Sequence, residues 1–369
     1  MIVDPSIEFT GALRCAINIG TVLSRRGTVI LAMPSRSRVP KDYLSAFDAV
    51  ERLPIVQIRR NWLDLLTYLP ALIVSSWMLA SMLKRYRATH LVLNDIYLLH
   101  GFVCRLLGYR GCLFVWVRSD LDQQPGLLRR LWLWANLKSA DRFIAVSKYI
   151  SAQLPAAAAP GLLYDAIDIP VRSASPGATG TAVIRYVANY TRGKGQDVAI
   201  AAFVAIASRF PRARLCLHGG DMGLDKNRAY RAELEDQARR SGFTERIDIG
   251  PFATDPIPLF IDSDIALNLS NSESFSMTCL EASACGLPVV ATRCGGPEEI
   301  ISDGVTGCLV PTADHGAAAR ALTGLLANMH DAARMGRAAR ARAKADFSLS
   351  RYADQLVTLF AVVEIGARS

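Results

Sequence analysis

Histidine and paired cysteines are scarce in this 369-residue chain, which has five His and eight Cys with no C-x-x-C pair and no metal-ligand spacing. That scarcity excludes a structural zinc site, and reduced thiols in a cytosolic protein are the simplest account of the cysteines. Charged residues make up only 20% against 51% hydrophobic, which argues against extensive disorder. The opening Met1-Ile2-Val3-Asp4-Pro5 lacks the basic and apolar regions of a signal peptide. There is no internal repeat and no low-complexity tract; Ala156–Ala159 is a short alanine run. The length suits two domains of ordinary size.

Acidic residues are short in one half only. Residues 1–150 hold 20 Lys/Arg against 10 Asp/Glu, a net +10, whereas the rest holds 22 against 23, a net −1. A basic first half implies a surface facing something acidic, either an anionic membrane surface or a phosphate-bearing acceptor. No nucleic-acid-binding motif or concentrated basic helix accompanies the charge, so nucleic acid is set aside as a partner. Leu65–Leu83 runs 19 positions without a charge, long enough to span a bilayer. Pro70 and several hydroxyl residues interrupt it within an α/β pattern, so a buried helix of the first domain is the favoured reading. Monotopic insertion or a true span are the alternatives. Gly126–Trp134 mixes Arg129 and Arg130 with two tryptophans, the chemistry of an interfacial anchor.

Short β-branched runs alternate with helical stretches, the pattern of parallel sheets in α/β domains. Strands are expected at Thr28–Met33, Thr89–Asn94, Cys112–Val117, Arg142–Val146 and Gly161–Leu163. In the second half they are expected at Ala182–Ala188, Arg214–His218, Arg246–Ile249, Ile265–Leu269, Pro288–Thr292 and Gly307–Val310. The Ser/Gly/Pro stretch Val171–Thr181 reads as a linker. Two doubly wound domains joined there bind ligands at the carboxyl ends of their strands.

The densest chemistry lies in Ser272–Ala282, continuing to Gly295-Gly296. Glu273 precedes a helix start and Glu281 lies about two turns inside it, an offset of about 12 Å that matches a nucleotide sugar from hexose to ribose. Between them, free N–H groups around Ser274, Phe275, Ser276 and Met277 form the positive end of a helix, a seat for a pyrophosphate. The stretch resembles the donor signature of retaining GT-B glycosyltransferases of family 4, E-x-F-G-x-x-x-x-E-A followed by G-x-P-V-V-A-T and G-G-x-x-E-x-I. Glu273, Phe275, Glu281, Ala282, Gly286, Pro288, Gly295, Gly296 and Glu299 fill that pattern, and Ser276 stands where the family has glycine.

The resemblance implies a GT-B fold, two Rossmann-like doubly wound α/β domains facing a central cleft. Residues 1–172 form an acceptor-side domain, residues 181–345 a nucleotide-sugar domain, and residues 346–369 a helix crossing back. It implies that Glu273 holds the sugar hydroxyls and Glu281 the ribose. Ala188–Gly195 is similar to the family's G-R-x-x-x-x-K-G diphosphate clamp, matching at Lys194 and Gly195 but with Asn189 in place of the arginine, so Arg192 is a candidate second cation. Gly219-Gly220 resembles a G-x-G turn beside the ligand, and Gly11 stands in a loop the family closes over the phosphates. Asn94, Asp95, Arg118 and Asp120 are candidate acceptor contacts, while Tyr164–Asp168 is similar to a structural Y-N-G-I-D. The implied activity is metal-independent, retaining hexosyl transfer from a UDP- or GDP-linked sugar to a carbohydrate or lipid-linked acceptor, with no cofactor beyond the nucleotide sugar as co-substrate. It would take place in the cytoplasm or peripherally on the inner membrane face, in cell-surface polysaccharide or glycolipid synthesis. The alternatives are a degenerate nucleotide-sugar-binding regulatory subunit and a GT-B-fold nucleotide-sugar epimerase.

Overall fold

A computed structural model describes residues 1–56, 62–178 and 180–366. Thr179 of the linker stretch and the side chains of Leu65 and Leu66 lie outside the described residues. The chain divides into two compact units, one comprising Met1–Ala166 with the chain from Tyr352 on, the other Ile167–Arg351.

The first unit holds seven strands: β1 (Ile2–Val3), β2 (Ile30–Pro34), β3 (Ala49–Leu53), β4 (His90–Leu93), β5 (Cys112–Val117), β6 (Arg142–Ala145) and β7 (Gly161–Leu162). They form one parallel sheet in the order β3-β2-β1-β4-β5-β6-β7. The second unit holds β8 (Ala182–Val187), β9 (Ala213–His218), β10 (Ile247–Gly250), β11 (Ile265–Asn268), β12 (Val289–Thr292) and β13 (Gly307–Val310). These too are all parallel, in the order β10-β9-β8-β11-β12-β13. In each sheet the direction of winding reverses between the first strand and the fourth, and loops leaving those two strands open a crevice at their carboxyl ends.

Every strand expected from sequence is present within one or two residues, but β1 and β3 went unseen. Two residues are too few to show a period, so Ile2 and Val3 read only as the start of the chain. β3, Ala-Val-Glu-Arg-Leu, carries adjacent charges because it is an edge strand with half-buried faces; its Glu51 accepts a 2.5 Å bond from the Tyr86 hydroxyl. The Ser/Gly/Pro stretch is pinned to the second unit, since Ala174 N donates to Cys285 O at 2.7 Å and Gly177 N to Asp264 Oδ1 at 2.6 Å.

The cores are strand-centred. In the second unit Ile184, Tyr186, Leu215, Leu217 and Val290 meet Ile200 and Phe203 of the Gln196–Ala207 helix. In the first, Phe360 of the C-terminal helix stacks on Phe114 at 4.4 Å. The helices Trp62–Arg85, His100–Leu106 and Gly126–Ser139 connect β3, β4, β5 and β6 in turn. Right-handed crossovers progressing in one direction place such helices on one face of the sheet. The Leu65–Leu83 run therefore lies in a surface layer with one side against the unit's core and the other exposed, which corrects the reading of a buried helix. Leu72, Ser75, Ser76 and Leu79 face inward, while Leu69, Ile73, Val74 and Trp77 are exposed. Among the described residues no helix is long and apolar enough to cross a membrane.

The buried His100, 3% exposed, bonds Ser75 Oγ through Nε2 at 2.9 Å, and burial holds its pKa down to about 4. It is neutral when folded and takes up a proton on unfolding below about pH 6.5. Its depressed pKa therefore gives stability that is present above pH 6.5 and is lost as pH falls toward 4, about 3 kcal/mol over that window. Urea unfolding at about pH 7 and about pH 5 should show a steeper loss for the wild type than for His100→Asn; equal losses would show that another group carries the dependence.

Candidate donor site

The loops leaving β8 and β11, the two strands at the second unit's reversal point, are tied together before any charged group is considered. Tyr186, the penultimate residue of β8 and fully buried, receives the Leu269 N–H at 2.8 Å on its hydroxyl and donates to the Lys194 carbonyl. Asn271 N donates to Gly193 O at 2.8 Å. Gly195, at φ 75°, lies against the other loop so closely that a Cβ would sit 2.0 Å from Leu269 O. Glycine is required there by both backbone angle and space. Gln196, wholly buried, donates from Nε2 to Asn189 O at 2.9 Å and closes the loop from the helix side.

On this frame Lys194 and Glu273 meet. Lys194 Nζ lies 2.7 Å from Glu273 Oε1, and Ser270 Oγ donates to the same oxygen at 2.7 Å. The lysine side chain is 34% exposed and the glutamate 15%, so the pair is partly desolvated and stronger than a surface pair. The backbone of Glu273 is fixed from the other side, its N–H on Cys294 O at 3.1 Å and its carbonyl receiving Gly296 N–H at 2.8 Å. A Cβ on Gly296 would fall 2.2 Å from Phe275 Cα. The Gly295-Gly296 pair thus has a steric reason, since it lets two loops touch backbone to backbone.

The Met277–Ala284 helix starts just beyond. Ser276 caps it at φ +82°, accepting from Cys279 N at 3.4 Å, and Asn268 Nδ2 donates to Ser276 Oγ at 3.1 Å. The positive φ explains why glycine suits this position and why a side chain here is strained. The helix begins at Met277, so its free first-turn donors are the N–H groups of Met277 and Thr278, one step later than the Ser274–Met277 range read from sequence. Glu281 is buried at 3% exposure and sits little more than one turn into the helix, not two. Phe275, 3% exposed, turns edge-on to Phe347 at 5.7 Å and serves the core.

The other candidates have contacts of their own. Arg192, 67% exposed, pairs with Glu233 and lies over the Tyr230 ring at 5.1 Å, so the structure does not join it to the Lys194–Glu273 pair. Asn189 turns its Oδ1 to Gly220 N at 3.4 Å, and Gly219 is packed where a Cβ would meet Ala188 O at 2.0 Å. In the first unit Gly11 is the exposed first residue of the Gly11–Leu23 helix, which Thr10 caps. Asn94, Asp95, Arg118 and Asp120, the candidate acceptor contacts, are all buried. Arg118 forms a two-pronged pair with Asp165 at 2.7 and 2.8 Å and donates to Asn94 Oδ1 at 2.8 Å. Burial is the largest influence and works against its charge, but Asp165, with Cys15 and Tyr352, raises its pKa on balance. Asp95 accepts from Ser119 Oγ at 2.6 Å and from Ile96 N at 2.8 Å, while burial lifts its pKa above the ordinary carboxylate range. Asp120 accepts from Tyr149 OH at 2.8 Å. These four hold the first unit's loops together.

Sequence reading missed Tyr186, Gln196, Ser270 and Asn268. The only local signal was Ser270 three residues before Glu273, because a tyrosine inside a strand looks like core. Among the described residues no cluster of His, Cys, Asp or Glu could hold a metal ion. Tyr186→Phe should leave the Leu269 N–H and Lys194 carbonyl without their buried partner and cost about 1–3 kcal/mol. Urea unfolding of the two proteins measures this; equal stability would show that the two loops do not need the hydroxyl tie.

Residues 171–342 match the family model described as Glycosyl transferases group 1. Among curated proteins, the glycogen synthase of Mycobacterium tuberculosis is 28% identical over 265 residues, 69% of this chain and 61% of its own length. D-inositol 3-phosphate glycosyltransferase 2 of Catenulispora acidiphila is 35% identical over 182 residues, 45% of this chain and 42% of its own. The chain thus spans less than two thirds of the length of these relatives. Anabaena HepE, solved in complex with UDP-glucose, superposes with a TM-score of 0.82 at 20% identity over 98% of both chains. The sucrose-phosphate synthase of Thermosynechococcus elongatus superposes with a TM-score of 0.82 at 20% identity over 99% of this chain and 98% of its own. The chain therefore has the GT-B fold, and its match to the glycosyl transferases group 1 runs through the unit that carries Lys194, Glu273 and Glu281.

Proposed function

We propose that this chain is a hexosyltransferase that moves a hexose from a UDP- or GDP-linked sugar, with retention and without a metal, to a sugar or lipid-linked acceptor. Synthesis of a cell-surface polysaccharide or glycolipid is the setting. The observation that carries this reading is the 2.7 Å contact between Lys194 and Glu273 at the second sheet's reversal point, beside a helix start. A pyrophosphate at that start meets the N–H groups of Met277 and Thr278 and the positive end of the helix. As the sugar–phosphate bond breaks, negative charge grows on the departing diphosphate, and Lys194 stabilises it there. Both hydrogen bonds to the Glu273 side chain land on Oε1, which leaves Oε2 to accept from a sugar hydroxyl. Glu281 takes the ribose. None of these carboxylates is assigned as a covalent nucleophile, and retention follows from departure and attack on one face of the sugar. The UDP-glucose complex of Anabaena HepE favours a UDP-linked donor.

The roles separate under mutation. Glu273→Ala should abolish most transfer while free UDP still binds, whereas Glu281→Ala should weaken UDP binding itself; titration calorimetry reads both. Lys194→Ala should lower kcat/KM by roughly 30- to 1,000-fold, about 2–4 kcal/mol. Arg192→Ala, altering a surface pair, should stay near wild type. Binding of nucleotide sugars without transfer or hydrolysis would support the regulatory-subunit alternative, and no thermal stabilisation by any nucleotide sugar would overturn the donor-site reading.

A further inference from the structure

The helical layer of the first unit is apolar on its outer side as well as its inner one, where Leu72, Leu79 and Leu83 are buried. On the Trp62–Arg85 helix the inward side carries Ser75 and Ser76, both 0% exposed, while Leu69, Ile73, Val74 and Trp77 are 56, 61, 50 and 64% exposed. A surface helix of a soluble protein ordinarily keeps that outer side polar. The pattern continues on its neighbours. Leu106 and Leu107 are exposed at the end of the His100–Leu106 helix. On the Gly126–Ser139 helix Leu127, Leu131 and Trp134 are 81, 43 and 53% exposed along one side. Phe102 and Trp134 meet at 5.1 Å, so the apolar surface is continuous across the last two helices.

Charge is distributed just as unevenly. All three helices cross from one parallel strand to the next and so run in the same direction. Their carboxyl ends and the turns that follow carry exposed Lys84, Arg85, Arg87, Arg110 and Lys138, and Arg130 stands between Leu127 and Leu131 on the outer side. Among the described residues from Thr67 to Asp141, the exposed carboxylates are Asp122, held by Arg129 at 2.6 Å, and Asp141, held by Arg105 at 2.5 Å. Arg129 is thereby neutralised and excluded from the two-arginine anchor read from sequence, leaving Arg130.

We propose that this layer is a docking face for an anionic bilayer surface. Apolar side chains with two tryptophans enter the headgroup boundary, and the basic rim meets the lipid phosphates. A second copy of the chain fits less well, because pairing this face with itself sets Arg130 and the basic rim against like charges. The inference stands independently of the donor site. It places a lipid-linked or membrane-bound acceptor within the protein's reach.

Full-length protein should sediment with vesicles containing about 30 mol% anionic phospholipid in phosphatidylcholine, far less with phosphatidylcholine alone, and less as salt rises. Leu131→Gln/Trp134→Gln and Arg130→Glu/Lys138→Glu should each weaken vesicle binding by about tenfold or more. Acyl-chain-brominated lipid should quench wild-type tryptophan fluorescence, and Trp77→Phe/Trp134→Phe should remove most of that quenching. Unchanged melting temperatures and unchanged UDP binding exclude misfolding as the cause, and they keep a failure here distinct from a failure of the donor site. The proposal is overturned if wild type stays in the supernatant, if the variants bind vesicles as well as wild type, or if sedimentation velocity shows a dimer that the same substitutions dissolve.

Discussion

A single phenol organises the second unit's working end. The Tyr186 hydroxyl accepts from Leu269 N–H and donates to the Lys194 carbonyl, so two loops that begin on neighbouring strands are held as one piece. The sheet brings the two loops side by side, and this tie, the Asn271 N–H bond to Gly193 O and the Gly195 contact fix their spacing closely enough for the lysine and Glu273 to meet. The ion pair is a consequence of backbone geometry, and charge attraction alone would not position two flexible side chains so tightly.

Both sheets reverse direction at the same point in their strand order, yet the two crevices are furnished differently. In the second unit the crevice carries a partly exposed lysine, a partly exposed carboxylate and a helix start. In the first it is filled by Asp4, Asn94, Arg118 and Asp165, all buried and hydrogen-bonded to one another. A buried ion pair of this kind adds little net stability over an apolar core, but it fixes loop geometry. One topology thus carries a partly exposed ion pair in one unit and a buried polar cluster in the other.

Much of this was legible in the chain. Strands of four or more residues with β-branched or apolar character declared themselves, and the sequence pattern marked Glu273 and Gly295-Gly296, whose loops meet in the structure. Burial was not legible, because a polar residue in a loop carries no local mark of being enclosed. Asn94, Asp95, Arg118 and Asp120 therefore read as candidate acceptor contacts, with no sign of their burial. Arg192 illustrates a different limit: two residues from Lys194 in sequence, it is drawn away by Glu233 on a helix more than forty residues on. The helix Trp62–Arg85 shows a third, since an uncharged run does not say which of its sides faces the sheet.

Ser276 has a consequence for how any ligand is met. With φ at +82° the residue holds a backbone shape that costs a side-chain-bearing residue about 1–3 kcal/mol. Its hydroxyl is engaged by Asn268 and by Cys279 N–H. A glycine here would be at ease but free to wander among several shapes, whereas the serine accepts strain and keeps one. The helix start is thus preorganised, and conformational entropy that a looser loop would surrender on binding has already been given up in the folded chain.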